Sequence, residues 1–205
     1  VHLLGSEPAG RYWVYNALDM PPSPCAIKLR PGSSAPTLVS ISASSTAWSI
    51  RNISLLGNQV GTGVDGITFA TPTLEHNSLV QNVAIVGFSG DGVRGRLFAT
   101  RWHNVFVASC KGYGLNCDGS TSWTDSVFSN TIVTGNVLGG VNFDSTAHCG
   151  EISFTDCRFE RSGWNPATPS TPTATASPGI RIHGNLIGAE FTSCSTDANS
   201  GNGVD

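Results

Sequence analysis

Four asparagines recur at one position of a repeat. Asn52, Asn82, Asn104 and Asn130 each stand three residues before an apolar position, Leu55, Ile85, Val107 and Val133. Eight residues beyond Ile85, Val107 and Val133 come Val93, Leu115 and Val141, each preceded by glycine. Two short period-two segments joined by a Gly-containing turn, repeated at about one coil's length, mark a solenoid. Stacked amides bond the neighbour above and below, so an Asn column has a physical reason to exist in such a fold. An antiparallel sandwich uses similar strands and turns but gives no reason for Asn at one position and Gly-apolar at another. The pattern therefore predicts an all-β parallel β-helix of about six or more coils, each about 4.8 Å above the last.

Aligned on the Gly-apolar step, the second strands place Val64, Val93, Leu115, Val141, Ile180 and Val204 together, with steps of 29, 22, 26, 39 and 24 residues. The first strands continue from Val133 to Phe154 and Phe191, and the Asn position continues to Glu151 and Gly188. A further column takes Phe88, Cys110, Asn136, Cys157 and Cys194. The longest step carries the Pro/Thr-rich stretch 164–178, which has no apolar face and is expected to leave the coil as a loop. Residues 1–45 read as an irregular lead-in with first strands, broken by Pro21-Pro22-Ser23-Pro24, and residues 46–205 as the helix proper. The chain begins at Val1 and stops mid-repeat, so it is expected to be a piece of a longer protein.

Only 12% of residues are charged and the net charge is −3, which leaves no basic footprint for nucleic acid. No apolar run is long enough to insert into a membrane. The six cysteines show no zinc spacing, so neither a metal nor a cofactor is called for. They read as small core thiols, with a Cys157–Cys194 disulfide left open because those two fall on adjacent coils.

Asn-Ile-Ser-Leu at 52–55, Asn-Val-Ala-Ile at 82–85 and Gly-Asp-Gly-Val at 90–93 resemble the right-handed single-stranded β-helix of the pectate-lyase-like superfamily. Pro8-Ala9-Gly10-Arg11-Tyr12 is similar to the lead-in of its bacteriophage tailspike and capsule-depolymerase branch. This sequence holds neither the acidic stretch with an Ala-rich helix that usually precedes this lead-in nor a C-terminal trimerisation domain, as expected of a piece of a longer protein. The resemblance implies a homotrimer on a virion, or an extracellular protein, that binds or cleaves a bacterial surface polysaccharide.

Alternation then selects the residues that face outward. One outward row is Asp65, Arg94, Asn116, Asn142, Arg181 and Asp205; a second is Ile67, Arg96, Asp118, Asp144 and His183. Asp118 and Asp144 fall on adjacent coils of one row. Two carboxylates that close divide into an acid and an ionised partner, as glycoside hydrolysis requires. They are the candidate catalytic pair, with a cation site or a plain solvated face as the alternatives. Arg94, Arg96, Asn116, Asn142, Trp164, Arg181 and His183 are the candidate substrate-binding residues. Glu160 and Glu151 are competing acids, His103 and His148 are turn residues, and Trp48, Trp102 and Trp123 are packing. The expected function is recognition of a surface polysaccharide, with endo-hydrolysis where the pair is active. The rivals are a non-catalytic virion fibre or decoration protein and a polysaccharide lyase using Asp-bound calcium and Arg181.

Overall fold

The computed structural model describes residues 12–13, 17–19, 25–41, 48–59, 61–69, 78–119, 121–165, 168–172 and 176–205. Pro8–Arg11 and Pro21–Pro24 lie outside the described residues. The fold is a parallel β-helix. One sheet has seven strands, a second has eleven and a third has four, and every pairing within them is parallel. Strands at Tyr12–Trp13, Ala17–Asp19, Ala26–Lys28 and Thr37–Ile41 already join the first two sheets, ahead of residue 46.

One coil shows the course of the chain. Gly139–Ser145 lies in the seven-stranded sheet and His148–Gly150 in the four-stranded sheet. Ser153–Thr155 and Arg158–Glu160 follow in the eleven-stranded sheet. The corners around them are Glu151, Asp156 and Arg161, each with φ of 54–55°. Non-Gly residues rarely adopt this left-handed conformation, and Asn and Asp do so most readily. That preference explains the Asn column: Asn52, Asn82, Asn104 and Asn130 all have φ between 48° and 55°. Their amides also stack. Asn82 Nδ2 donates to Asn52 Oδ1 at 2.9 Å, Asn104 to Asn82 at 2.9 Å, and Asn130 to Asn104 at 3.3 Å.

Inside, identical registers stack identical chemistry. Trp102, Phe128, Phe154 and Phe191 sit opposite one another on successive coils. Phe128 and Phe154 stack at 4.7 Å between centroids, and Phe154 and Phe191 at 5.0 Å. Offset aromatic stacks add to the area they bury. Trp48, Trp102 and Trp123 are buried in this core, as the sequence suggests.

Several alignments differ from the sequence reading. Ile67, not Val64, pairs with Val93, and the inward glycine of that coil is Gly66, not Gly63. A Cβ at Gly66 would stand 2.6 Å from Ile85 Cγ2, so packing demands glycine there; Gly63 is needed for its φ of 66°. Thr68 therefore takes the outward place assigned to Asp65, and Ile67 is a core residue, not an outward one. Val133 pairs with Phe159, and Phe159 with Thr196, so Phe154 and Phe191 belong to the aromatic column instead. The Asn corner accordingly continues at Asp156 and Ser193, not at Glu151 and Gly188. The column of Cys110 and Asn136 continues through Ser162 and Asn199; Cys110 N–H donates to Asn136 Oδ1, and Ser162 N–H to Asn199 Oδ1. All six cysteines are free thiols, Cys157 and Cys194 included. The 164–178 insertion contains a short antiparallel hairpin, Trp164–Asn165 against Thr168–Pro172, where a plain loop was expected.

Candidate functional site

The outward side of the seven-stranded sheet concentrates the polar chemistry. In register along it stand Thr68, Arg94, Asn116, Asn142 and Arg181. Two residues further along the strands, Asp118 is directly opposite Asp144. The sequence-derived pair is thus real as a register pair, but each carboxylate turns to an arginine on its far side. Arg94 Nη2 donates to Asp118 Oδ2 at 3.0 Å from the preceding coil. Arg181 Nη1 lies 3.4 Å from Asp144 Oδ2 from the following coil.

Asn116 and Asn142 are outward in the alternation yet only 5% and 2% exposed. Their burial follows from what they bond. Asn142 Nδ2 donates to Asn116 Oδ1 at 2.8 Å, and Asn116 Nδ2 donates to Asp91 Oδ2 at 2.7 Å and to Asp118 Oδ2 at 3.3 Å. The Oδ1 of Asn142 is buried with no hydrogen-bond partner among the described residues. Beside them, Tyr113 leans over Gly139 of the next coil, where a Cβ would come within 2.9 Å of its ring. Its hydroxyl accepts from Arg181 Nη1 at 3.0 Å, so one phenol spans to the coil after next. Arg181 Nη2 lies 2.9 Å from His183 Nδ1, and His183 Nε2 lies 3.7 Å from Asp205 Oδ2.

Asp91, and Asp65 in the role it takes here, were missed by the sequence reading. Asp65 Oδ1 accepts the backbone N–H of Asp91 at 2.7 Å, and Asp91 Oδ1 accepts that of Tyr113 at 2.7 Å. Each carboxylate rests on the glycine of the next coil, Gly90 or Gly112, where any Cβ would collide with it. Burial pushes the Asp65 carboxyl up to about 6, against the lowering effect of the Asp91 N–H. Burial raises Asp91 as well, opposed by Asn116 and the Tyr113 N–H. The available signal was Asp91's place one residue before the inward glycine Gly92, which sends its side chain outward.

Other candidates fall elsewhere. Trp164 N–H donates to the Ala198 carbonyl, which occupies the indole's polar end. Glu160 pairs with Arg158 at 2.7 Å on the outer side of the eleven-stranded sheet. His103 Nδ1 lies 2.9 Å from Ser129 Oγ on that same sheet. Glu151 is a corner residue. Arg96 is partly buried, and its Nε has no hydrogen-bond partner among the described residues. Among those residues no three His, Cys, Asp or Glu side chains converge as a metal site.

No protein-family model matches the chain, and no curated protein matches its sequence. Among solved structures it is similar to the Azotobacter vinelandii mannuronan C-5 epimerase AlgE4 A-module. The likeness has a TM-score of 0.41 and 12% identity, covering 99% of this chain and 87% of that one.

Proposed function

We propose that this face binds a hydroxyl-rich bacterial surface polysaccharide lengthwise and hydrolyses it between Asp118 and Asp144. The observation that carries the reading is the in-register placement of these carboxylates beside stacked amides and guanidinium groups. Rungs about 4.8 Å apart match the length of one sugar ring, so a glycan running along the solenoid meets the same kinds of group at each step. Arg94 with Asp118 and Arg181 with Asp144 balance charge locally. That balance favours hydroxyls over a densely anionic polymer. Carboxyl groups about 5–5.5 Å apart support retention and about 6.5–9.5 Å inversion; adjacent rungs set the two backbones about 4.8 Å apart, and the turn of each side chain toward its own arginine leaves both outcomes open. The finer reading, a trimeric tailspike-like receptor-binding protein carried on a virion, is supported by the resemblance of the lead-in segment.

The arginine partners favour a second reading, a receptor face that binds without cleaving. One experiment separates them. Purified protein is incubated with capsule or O-antigen of candidate hosts, and new reducing ends and bound glycan are both measured. Hydrolysis predicts reducing ends that fall at least 100-fold in Asp118→Asn and Asp144→Asn. Unchanged activity in both variants removes the pair, and saturable binding without reducing ends selects the receptor reading.

A further inference from the structure

The six thiols are not equivalent. Cys117 and Cys149 are 0% and 1% exposed and their sulfurs lie 3.1 Å apart. That is about 1 Å beyond the ~2.05 Å of a disulfide bond. They come from different coils: Cys117 pairs in register with Phe143, and Cys149 lies six residues further along that next coil, in the four-stranded sheet. The contact is therefore a diagonal from one coil to the next, between two sheets. Cys157 and Cys194, the pair that the repeat suggested, also face each other on adjacent coils, but their thiols find other acceptors. Cys157 S–H is directed to the carbonyls of Thr155 and Phe128, and Cys194 S–H to those of Phe154 and Thr192.

We infer that Cys117 and Cys149 are an oxidisable pair that closes into a disulfide and clamps two successive coils beneath the polar face. Sulfur attack needs a thiolate. Either sulfur can donate across the contact; with the proton on Cys117, the Cys149 thiol is drawn down, helped by the Trp123 N–H and the Ser145 hydroxyl, while the same contact and burial push Cys117 up. In that arrangement Cys149 is the attacking sulfur, and the product is the same with the roles exchanged. With a hydroperoxide as oxidant, the Cys149 thiolate displaces hydroxide from the peroxide O–O bond and becomes a sulfenic acid. The Cys117 sulfur then attacks Cys149, loses its proton and releases water. Overall two thiols and one hydrogen peroxide give one disulfide and two waters. Cys117 sits between Asn116 and Asp118, so the clamp also anchors the strand that carries half of the candidate catalytic pair.

The folded protein is treated with hydrogen peroxide, quenched, unfolded, alkylated and mapped by mass spectrometry. The expected result is four alkylated cysteines and one cross-linked peptide joining Cys117 to Cys149. The melting temperature should rise by roughly 5–10 °C over the reduced protein. Cys149→Ala loses the cross-link and the rise, whereas Cys194→Ala keeps both. Six alkylated cysteines after treatment overturn the inference. So does a cross-link at Cys157 and Cys194 with Cys117 free, or a melting temperature that does not rise.

Discussion

The Asn52–Asn130 column and the Asn116–Asn142 pair use one hydrogen bond in two settings. In the column, amides donate rung to rung at 2.9–3.3 Å on an exposed corner. There the residue's main task is the backbone, since each holds a φ near 50°. In the pair, the same donation at 2.8 Å is buried, the backbone is ordinary strand, and the chain of bonds ends on the Asp91 carboxylate. Stacking alone therefore does not distinguish an architectural amide from one that organises charge. Burial and the terminal partner do.

Removing one amide from each setting should break the symmetry most visibly. Asn116→Ala strips Asp91 of a buried charge-assisted donor and leaves the Asn142 amide unpaired. We expect a loss of about 2–4 kcal/mol in urea unfolding. A loss below about 1 kcal/mol would show that water fills the gap and that the pair is no more demanding than the column.

The carboxylates beneath the pair give the next largest effect, and its sign depends on pH. The folded Asp65 carboxyl, at about 6, lies above its ordinary value of 3.8. Between those values the native state holds a proton that the unfolded chain has released. The Asp65 contribution to stability therefore falls as pH rises from about 4 through about 6 and is level above, and Asp91 acts in the same direction. Asp65→Asn keeps an oxygen for the Asp91 N–H and removes the charge. At pH 7.5 it should stabilise by on the order of 2–3 kcal/mol, and at pH 4 by little. Equal effects at both pH values would deny the shift.

On the corner the test is conformational. Asn104→Ala should cost about 1–2 kcal/mol, because alanine resists the left-handed region. Asn104→Gly should cost less than about 1 kcal/mol, because it loses only exposed amide bonds. If glycine costs as much as alanine, the amide ladder outweighs the φ requirement.

This contrast also explains what the sequence made legible. The Asn corner was readable because one conformation selects one residue type four times. The register from Val93 through Leu115, Val141 and Ile180 to Val204 was readable because an inward glycine precedes each. That register placed Asp118 opposite Asp144 correctly. It failed at Val64, because Gly63 and Gly66 are one letter with two causes, a turn φ and a close approach. It failed at Phe154 because both Phe154 and Phe159 point inward within one coil, and the pattern alone does not say which continues Val133. Asn142 looked like a ligand for solvent or sugar because alternation gives direction, not cover. The Cys117–Cys149 contact was invisible because it joins different positions of two coils, and no period links residues 32 apart.

The smallest expected change in stability carries the sharpest statement about function. Arg94 and Arg158 both sit about half exposed in short ion pairs, Arg94–Asp118 at 3.0 Å and Arg158–Glu160 at 2.7 Å. Exposed pairs of this kind contribute little, so Arg94→Gln and Arg158→Gln should each alter unfolding by less than about 0.5 kcal/mol. Their effect on glycan binding should differ. Arg94 lies in the register of Asn116 and holds Asp118, so under the proposed function its loss takes away a donor to sugar hydroxyls and frees the carboxylate. Binding should weaken about tenfold, the cost of one charge-assisted hydrogen bond. Arg158 stands on the other sheet, and its variant should bind as the parent does. Equal weakening in both variants would move the ligand off the seven-stranded sheet, and unchanged binding in both would leave Asp118 and Asp144 as a solvated face.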